Sequence, residues 1–490
     1  MAAMQINASQ RSVNLDPCDP GFYQNPYPAY RAIREAAPIF KWEQYGYWCF
    51  AAHEDVNALL RDRRFGRQIL HVATREELGW PETPNHLKPF HDFEQHSLLE
   101  LEPPVHTRLR GLVNRAFLTR QVERLRPAIV SHSNSLIDKF EKQNQVDLLA
   151  AYATPIPVKV ICDLLGVASD MADQLLLWSH DMVAMYQARR DREIEDRAVA
   201  ATIAFSDFMR GYIRERGRSP RDDLLSQLIP QLAEDELVTT AILLLNAGHE
   251  ATVHAIGNGV KALLEHGYCD NIEETLRFDP PLHLFTRYAL EDLEYAGIKL
   301  RKGEEVGLML GAANRDPARF PNPDHFDPTR TPNPHVSFGA GIHFCVGAPL
   351  ARLELEIAIP LLFQRLPKLA LTEKPLYRDT YHFHGLEKLN VTLSIGVGKG
   401  FRPPLPPNRT GGFPAYGSPV GGFLIGSVSQ FPRLYSARTA RLVRRIYLAI
   451  VYGLRGRGQT RDAFPACAGR RATDAGFCHP RSKTWCDEHA

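Results

Sequence analysis

Residues 235–266 make up a stretch of 32 residues whose pattern predicts one continuous helix, spanning roughly 48 Å at 1.5 Å per residue. Whatever this chain folds into has to accommodate an element of that length. Its middle reads Ala241-Ile-Leu-Leu-Leu-Asn-Ala247-Gly248-His249-Glu250-Ala251-Thr252-Val253. A glycine and a carboxylate inside an apolar helix are each locally unfavourable, so both invite a reason. Close helix packing at Gly248 and a partly exposed Glu250 would be the plainest one.

Apolar residues recur at three- and four-residue spacing in 122–140, 158–165 and 197–216, which predicts further amphipathic helices. The texture changes at Pro280. Beyond it, short β-prone pieces at 293–300 and 305–310 are separated by turn-rich stretches at 314–317 and 321–328. No internal repeat is found, and the alternating strand-helix units of a dinucleotide-binding fold are missing. The expected class is therefore mainly α with minor β (α+β). With 490 residues, 44% of them hydrophobic, there is material for one large core or for two to three ordinary ones.

The formal charge of +2 conceals two unlike regions. Residues 401–490 hold 13 Arg and 1 Lys against 4 acids, a net of +10, which leaves 44 basic and 52 acidic residues, a net of −8, in residues 1–400. An acidic body argues against non-specific nucleic-acid binding. The basic end is rich in Gly and Pro and lacks sustained periodicity. It reads as a disordered tail or a non-native reading-frame extension, so the domains divide into 1–400 and 401–490. Within it, Ile446-Tyr-Leu-Ala-Ile-Val-Tyr is apolar and flanked by arginines, which suits a membrane surface, but it is far too short to span one. The first residues carry no apolar run of the roughly 7 to 15 residues that a secretory signal needs, and no run of about 20 occurs anywhere. A soluble, cytoplasmic protein is expected. Its eight cysteines lack the spacing of a disulfide scaffold or of a paired zinc site, so any special one has to be identified by its neighbours.

The sharpest segment is Ser337-Phe-Gly-Ala-Gly-Ile-His-Phe-Cys345-Val-Gly-Ala-Pro-Leu-Ala-Arg352. Glycines at 339, 341 and 347 open backbone conformations closed to other residues and let the chain approach a flat ligand, and Pro349 can start a helix. Cys345 would then sit among backbone N–H donors at the positive end of a helix dipole. Such a setting lowers a thiol's pKa and favours the thiolate, the form that ligates iron. For that loop alone, a passive cysteine in a glycine-rich turn is the competing reading.

The full pattern, Phe338-x-x-Gly341-x-His343-x-Cys345-x-Gly347, resembles the haem-binding loop of the cytochrome P450 family. The resemblance implies the P450 fold, with the long central helix distal over a haem b and the Cys-bearing loop proximal to it. It implies Cys345 as the axial iron ligand, whose electron donation favours O–O cleavage, with Phe338 packed near the thiolate, Gly347 in the cofactor-binding loop and His343 reaching a propionate. Glu274-Thr-Leu-Arg277 is similar to the family's ExxR ion pair, with Arg330 as third member and a structural role. His106-Thr-Arg-Leu-Arg110 is similar to the segment that supplies propionate ligands; its His106 and Arg110 share one helix face. Arg287 matches another propionate position. On the long helix, Ala247-Gly248 matches the place of a local opening for dioxygen, and Glu250 the acid of an acid-alcohol pair. Ala251 follows that acid directly, so the hydroxyl comes one place late, at Thr252.

What the resemblance implies for activity is a monooxygenase: reductive activation of O2 at haem iron and insertion of one oxygen atom, by hydroxylation or epoxidation, into a small hydrophobic substrate. The chain has no GxGxxG or flavin-binding domain, so electrons are expected from an external ferredoxin and its NAD(P)H-dependent reductase, with Arg108, Arg115 and Arg120 as a basic docking face. A monomer is expected. Ala251 also admits a peroxide-driven or non-oxygenating haem-thiolate enzyme. The short segment 267–273, where the family has another helix, admits a trimmed member, a chain that folds poorly, or a haem-binding pseudoenzyme. Residues 65–101, with Trp80, Phe90 and Phe93, are where the family places the cover of its pocket, and they do not identify the substrate. Phe383-His-Gly-Leu386-Glu-Lys-Leu-Asn-Val391 looks like the family's closing hairpin, and the resemblance stops near residue 396.

Overall fold

The computed structural model describes residues 4–186 and 190–393; the reading of 401–490 as a tail lies outside them. Helices α1 (Val105–Ala116), α2 (Arg126–Phe140), α3 (Pro155–Leu165), α4 (Ala172–Val183) and α5 (Arg192–Arg218) precede the long helix, α6 (Glu234–His266). Two more, α7 (Ile272–Phe278) and α8 (Ala348–Arg365), follow it. The expected helix over 122–140 is in fact broken: a short helix ends at Glu123, and Pro127, in the first turn of α2, starts the next.

Helix α6 packs against α3, α4, α5, α7 and α8 and is buried along most of its length. Glu234, Asp235 and Glu236 fill its first turn, where the helix dipole favours acids, and Gly267 ends it at φ +98°. From there the chain reaches Asn271 without forming another helix. The Asn271 side chain accepts from the Glu274 N–H at 3.2 Å and caps α7, so the shortened segment is accommodated by a direct cap-to-cap connection.

A mixed sheet stands apart from this helical core. Its strands are β1 (Gln5–Asn7), β2 (Ser12–Asn14), β3 (Ile39–Trp42), β4 (Tyr47–Phe50), β5 (Phe65–Gly66), β6 (Phe285–Ala289) and β7 (Glu305–Leu308), in the order β1-β2-β3-β4-β7-β6-β5. Strands β4 and β7 run parallel with Val306 opposite Trp48, and β7 and β6 run antiparallel with Val306 opposite Arg287. Successive side chains alternate faces. On β4, Cys49 joins a cluster with Phe22, Tyr30 and Trp42, while its neighbour Phe50 joins Val56 and Leu308 on the other side. The β-prone piece at 293–300 folds as a hairpin, and Gln145–Asp147, Ala370–Leu371 and Asn390–Thr392 form a separate small sheet.

Beneath the cysteine loop lies a buried ionic cluster. Glu274 and Arg277 are both fully buried. Arg277 grips Glu274 through Nε (2.8 Å) and Nη2 (2.7 Å), and its Nη1 donates to the carbonyls of Asn314 (2.9 Å) and Pro323 (2.8 Å). The carboxylate also accepts from Arg330 Nε (3.1 Å), Asn333 Nδ2 (3.1 Å) and the Asp327 N–H (2.8 Å). A buried pair offsets its desolvation cost only when its remaining hydrogen-bond capacity is filled, as it is here. Glu274→Gln leaves two buried guanidinium groups without their counter-charge and should cost about 3–5 kcal/mol in urea unfolding; a loss under about 1 kcal/mol would contradict this account. One position earlier, burial pushes the Glu273 carboxyl up, but His335 (3.0 Å) and Arg352 (2.6 Å) overcome this and hold it at about 2. A carboxyl lowered on folding stabilises above its unfolded pKa, and the benefit is lost as the pH falls toward the folded value. The difference in unfolding midpoint between the parent and Glu273→Gln should therefore shrink steadily between about pH 4.5 and pH 2.

Candidate active site

Asn314 fixes the start of the cysteine loop. Its Oδ1 accepts from the Val336 N–H (2.9 Å), its Nδ2 donates to Ser337 Oγ (2.8 Å), and that hydroxyl donates to the Leu276 carbonyl on α7 (2.8 Å). The loop closes on itself where the Cys345 N–H donates to the Phe338 carbonyl at 2.9 Å. Gly339 and Gly341 take φ of +67° and +73°, and a Cβ on Gly341 would run into the Leu60 carbonyl. Gly347 differs from the expectation: at φ −79° any residue would fit the backbone. A Cβ there would stand 3.8 Å from Cys345 Sγ, an ordinary contact, so neither backbone nor space requires glycine at this position. Helix α8 begins at the next residue with Pro349 in its first turn.

Cys345 is surrounded by protein, yet its side chain is accessible, so it faces an internal space rather than packing against neighbours. Burial pushes its thiol up. Against this act the N–H groups of Gly347 and Ala348 and the cations Arg110 and Arg352, all of which pull it down. The expected low thiol pKa is thus reversed by dry surroundings, and a metal bound to the sulfur would be what removes the proton. Phe338 is half-buried, with the Arg352 guanidinium 4.5 Å from its ring centre.

Around the loop stand the expected anion ligands. Arg110 donates to the Phe344 carbonyl and, through Nε, to Asn114 Oδ1 at 2.8 Å. His106 is buried, has no partner on Nε2, and lies over His343 with ring centres 4.4 Å apart. Burial and then the neighbouring His343 and Arg110 push its pKa down to about 4. His343 places Nε2 3.1 Å from Glu102 Oε1. Arg287, on β6, is buried with a donor on the adjacent Thr286 carbonyl (2.7 Å) and no carboxylate paired with it among the described residues. Burial and the nearby Arg67 lower its pKa to about 9.

On α6, Leu243, Ala247 and Ala251, one helical turn apart, stay partly uncovered in the middle of an otherwise buried helix. Gly248 packs against α3, since a Cβ there would stand 2.9 Å from Ile161 Cδ1. Thr252 is buried. Glu250 is also buried, and four side chains converge on it. His254 Nε2 is 3.2 Å and Arg378 Nη1 3.7 Å from Oε1, while His180 Nε2 is 3.6 Å and His249 Nδ1 3.7 Å from Oε2. Burial pushes the Glu250 carboxyl up, but His254, His249 and His180 more than offset it and hold it at about 2. Sequence reasoning missed these partners. His254, four residues beyond the acid on the same helix, could have been read from spacing; His180 and Arg378 arrive from other elements and left no such signal.

These residues fit a haem. Two buried donors without acidic partners, His106 Nε2 and Arg287, call for anionic groups such as propionates. An accessible sulfur on a glycine-rich loop and the uncovered Ala247 and Ala251 on α6 suit a planar ring, which needs bare surface on both faces. Farther off, a cleft of about 420 Å³ lies between the Lys88–Glu94 helix, α5 and the N-terminal end of α6, lined in part by Phe93, Ile203 and Val238. Its nearest α6 residue, Thr239, is 11 residues before Glu250, roughly 16 Å along the helix.

The sequence model described as Cytochrome P450 matches residues 270–376. The polyketide biosynthesis cytochrome P450 PksS of Bacillus subtilis is 35% identical over 401 residues, covering 76% of this chain and 97% of that protein. The mycinamicin IV hydroxylase/epoxidase of Micromonospora griseorubida is 38% identical over 367 residues, covering 70% and 88%. Among solved structures, that of P450BioI in complex with an acyl carrier protein ligated to hexadec-9Z-enoic acid gives a TM-score of 0.72 at 35% identity, covering 76% of this chain and 100% of that one. Relatives matched over nearly their whole length, at more than a third of the aligned positions, agree with the cysteine loop and the buried ion pair beneath it, and the chain belongs to the cytochrome P450 family of haem-thiolate monooxygenases.

Proposed function

We propose that Cys345 is the axial ligand of a haem b, that His106, Arg110, Arg287 and His343 bind its propionates, and that Phe338 and Gly347 shape the loop beside the sulfur. The observation that carries this reading is the pair of buried donors, His106 Nε2 and Arg287, that lack acidic partners near the cysteine loop. When bound, the haem supplies reductive dioxygen activation and transfer of one oxygen atom to a C–H or C=C bond. The chain's own contribution is binding, orientation and control of protons. Backbone N–H groups of Gly347 and Ala348, with Arg110 and Arg352, favour negative charge on the sulfur. Glu250 takes up and hands on protons, with the bare backbone at Gly248 and the hydroxyl of Thr252 beside it on α6. Ala251 offers no hydroxyl, so His254 is the group best placed to act with the acid, and the half-exposed His180 links it to solvent.

On this reading residues 1–400 are one haem domain, acting as a cytoplasmic monomer on a small hydrophobic molecule, in keeping with relatives named for polyketide and biotin biosynthesis. No described helix is long and apolar enough to cross a membrane. Electrons come from a ferredoxin served by an NAD(P)H-dependent reductase. Exposed Arg115 and Arg120 suit an acidic partner, whereas Arg108 is already paired with Glu236.

Two variants test this. The carbon-monoxide difference spectrum of the reduced protein should show the strongly red-shifted Soret band of thiolate ligation, and Cys345→Ala should lose it; an unshifted band in the parent would remove Cys345 from the iron. Glu250→Gln should slow coupled turnover by roughly 10²-fold and divert electrons to peroxide. Unchanged product yield per NAD(P)H in that variant would end its proton role.

A further inference from the structure

We propose that His180, His249 and Glu250 form a binding site for a divalent zinc ion on the solvent side of α6. One ligand atom from each lies within 4.8 Å of the other two. The two distances to Glu250 Oε2, 3.6 Å from His180 Nε2 and 3.7 Å from His249 Nδ1, are close to the edge of about 3.4 Å expected of a tetrahedron with legs of about 2.1 Å. Two imidazoles and one carboxylate are a donor set that zinc takes in open sites, where the fourth position is left to water. His249 supplies the second observation: it is 1% exposed, and both its ring nitrogens lack a hydrogen-bond partner. Buried imidazole nitrogens are normally bonded, and a metal would occupy one of the two on His249; His254, also without a hydrogen bond on either ring nitrogen, has Glu250 Oε1 beside it instead.

The surroundings favour such an ion in two respects and oppose it in one. His254 stands 3.2 Å from the other carboxylate oxygen and would orient Glu250 from outside the coordination sphere, as outer partners of metal-binding carboxylates do. The His180 side chain is 46% exposed, which opens a path for entry. Arg378, 3.7 Å from Oε1, adds positive charge and weakens the site. A second cluster, Asp279, His283 and His384, is spoken for: Asp279 accepts from the hydroxyls of Tyr27 (2.6 Å) and Tyr377 (2.5 Å), and His283 Nδ1 is bonded to Tyr30 (2.7 Å).

Zinc on Oε2 would occupy the acid proposed above to carry protons and so act as a reversible brake on turnover. The brake depends on that reading of Glu250; the site does not. The test is equilibrium dialysis of the full-length, haem-loaded protein against Zn2+ with metal analysis, comparing the parent with His180→Ala and His254→Ala. Cysteines and histidines elsewhere in the chain, such as Cys478 and His479, can also take zinc, so the site is read from the difference. One ion per chain should be lost in His180→Ala with the Soret band unmoved, and His254→Ala should bind that ion 10- to 100-fold more weakly. Equal stoichiometry and affinity in the parent and His180→Ala would overturn the site. Zinc bound at the site without loss of coupled turnover would overturn the brake alone, and a fully coupled Glu250→Gln would assign that failure to the reading of the acid.

Discussion

The rest of this structure leans on one fully buried carboxylate. Glu274 gathers Arg277, Arg330, Asn333 and the backbone of Asp327 around itself, and through Arg277 it holds the carbonyls of Asn314 and Pro323. Asn314 in turn holds the start of the cysteine loop. The irregular chain between β7 and α8 has little regular structure of its own, and its backbone groups need partners. A charge cluster supplies them with directional bonds that a purely apolar core could not, and it thereby sets where Cys345 stands.

Electrostatics divides the two sides of the site. On the proximal side, cations and backbone N–H groups surround a sulfur and offset only part of the burial that keeps its thiol protonated. On the distal helix the roles are exchanged: a largely buried acid is kept ionised because imidazoles and a guanidinium crowd it. The acid would not hold its charge in an apolar cavity alone, and the thiol gives up its proton only to a bound metal.

Much of this could be read before any coordinates. Helix α6 was located to within one residue because its apolar length exceeds anything a strand or loop would carry. The cysteine loop was legible because positive-φ glycines leave a mark in sequence, as at Gly339 and Gly341. Gly347 carries the same letter with neither a positive φ nor a steric need behind it, which sequence cannot tell from the other two. The thiol's direction of shift was misjudged because dipole and N–H donors are local, whereas burial is a property of the whole fold. For the same reason His180 and Arg378 were invisible: they meet Glu250 only once α4 and the segment before the last strand have closed over α6.

The pairing of β4 with β7 and the seating of Gly341 against Leu60 join segments more than 250 residues apart in the chain. The cysteine loop therefore rests on residues made first during synthesis, while its own residues are made much later. Contacts of such high sequence separation form slowly, because a long loop must close before they give any return. The cysteine loop can take its final shape only after these distant segments have met, so the part of the fold that presents the accessible Cys345 sulfur is among the last to be completed.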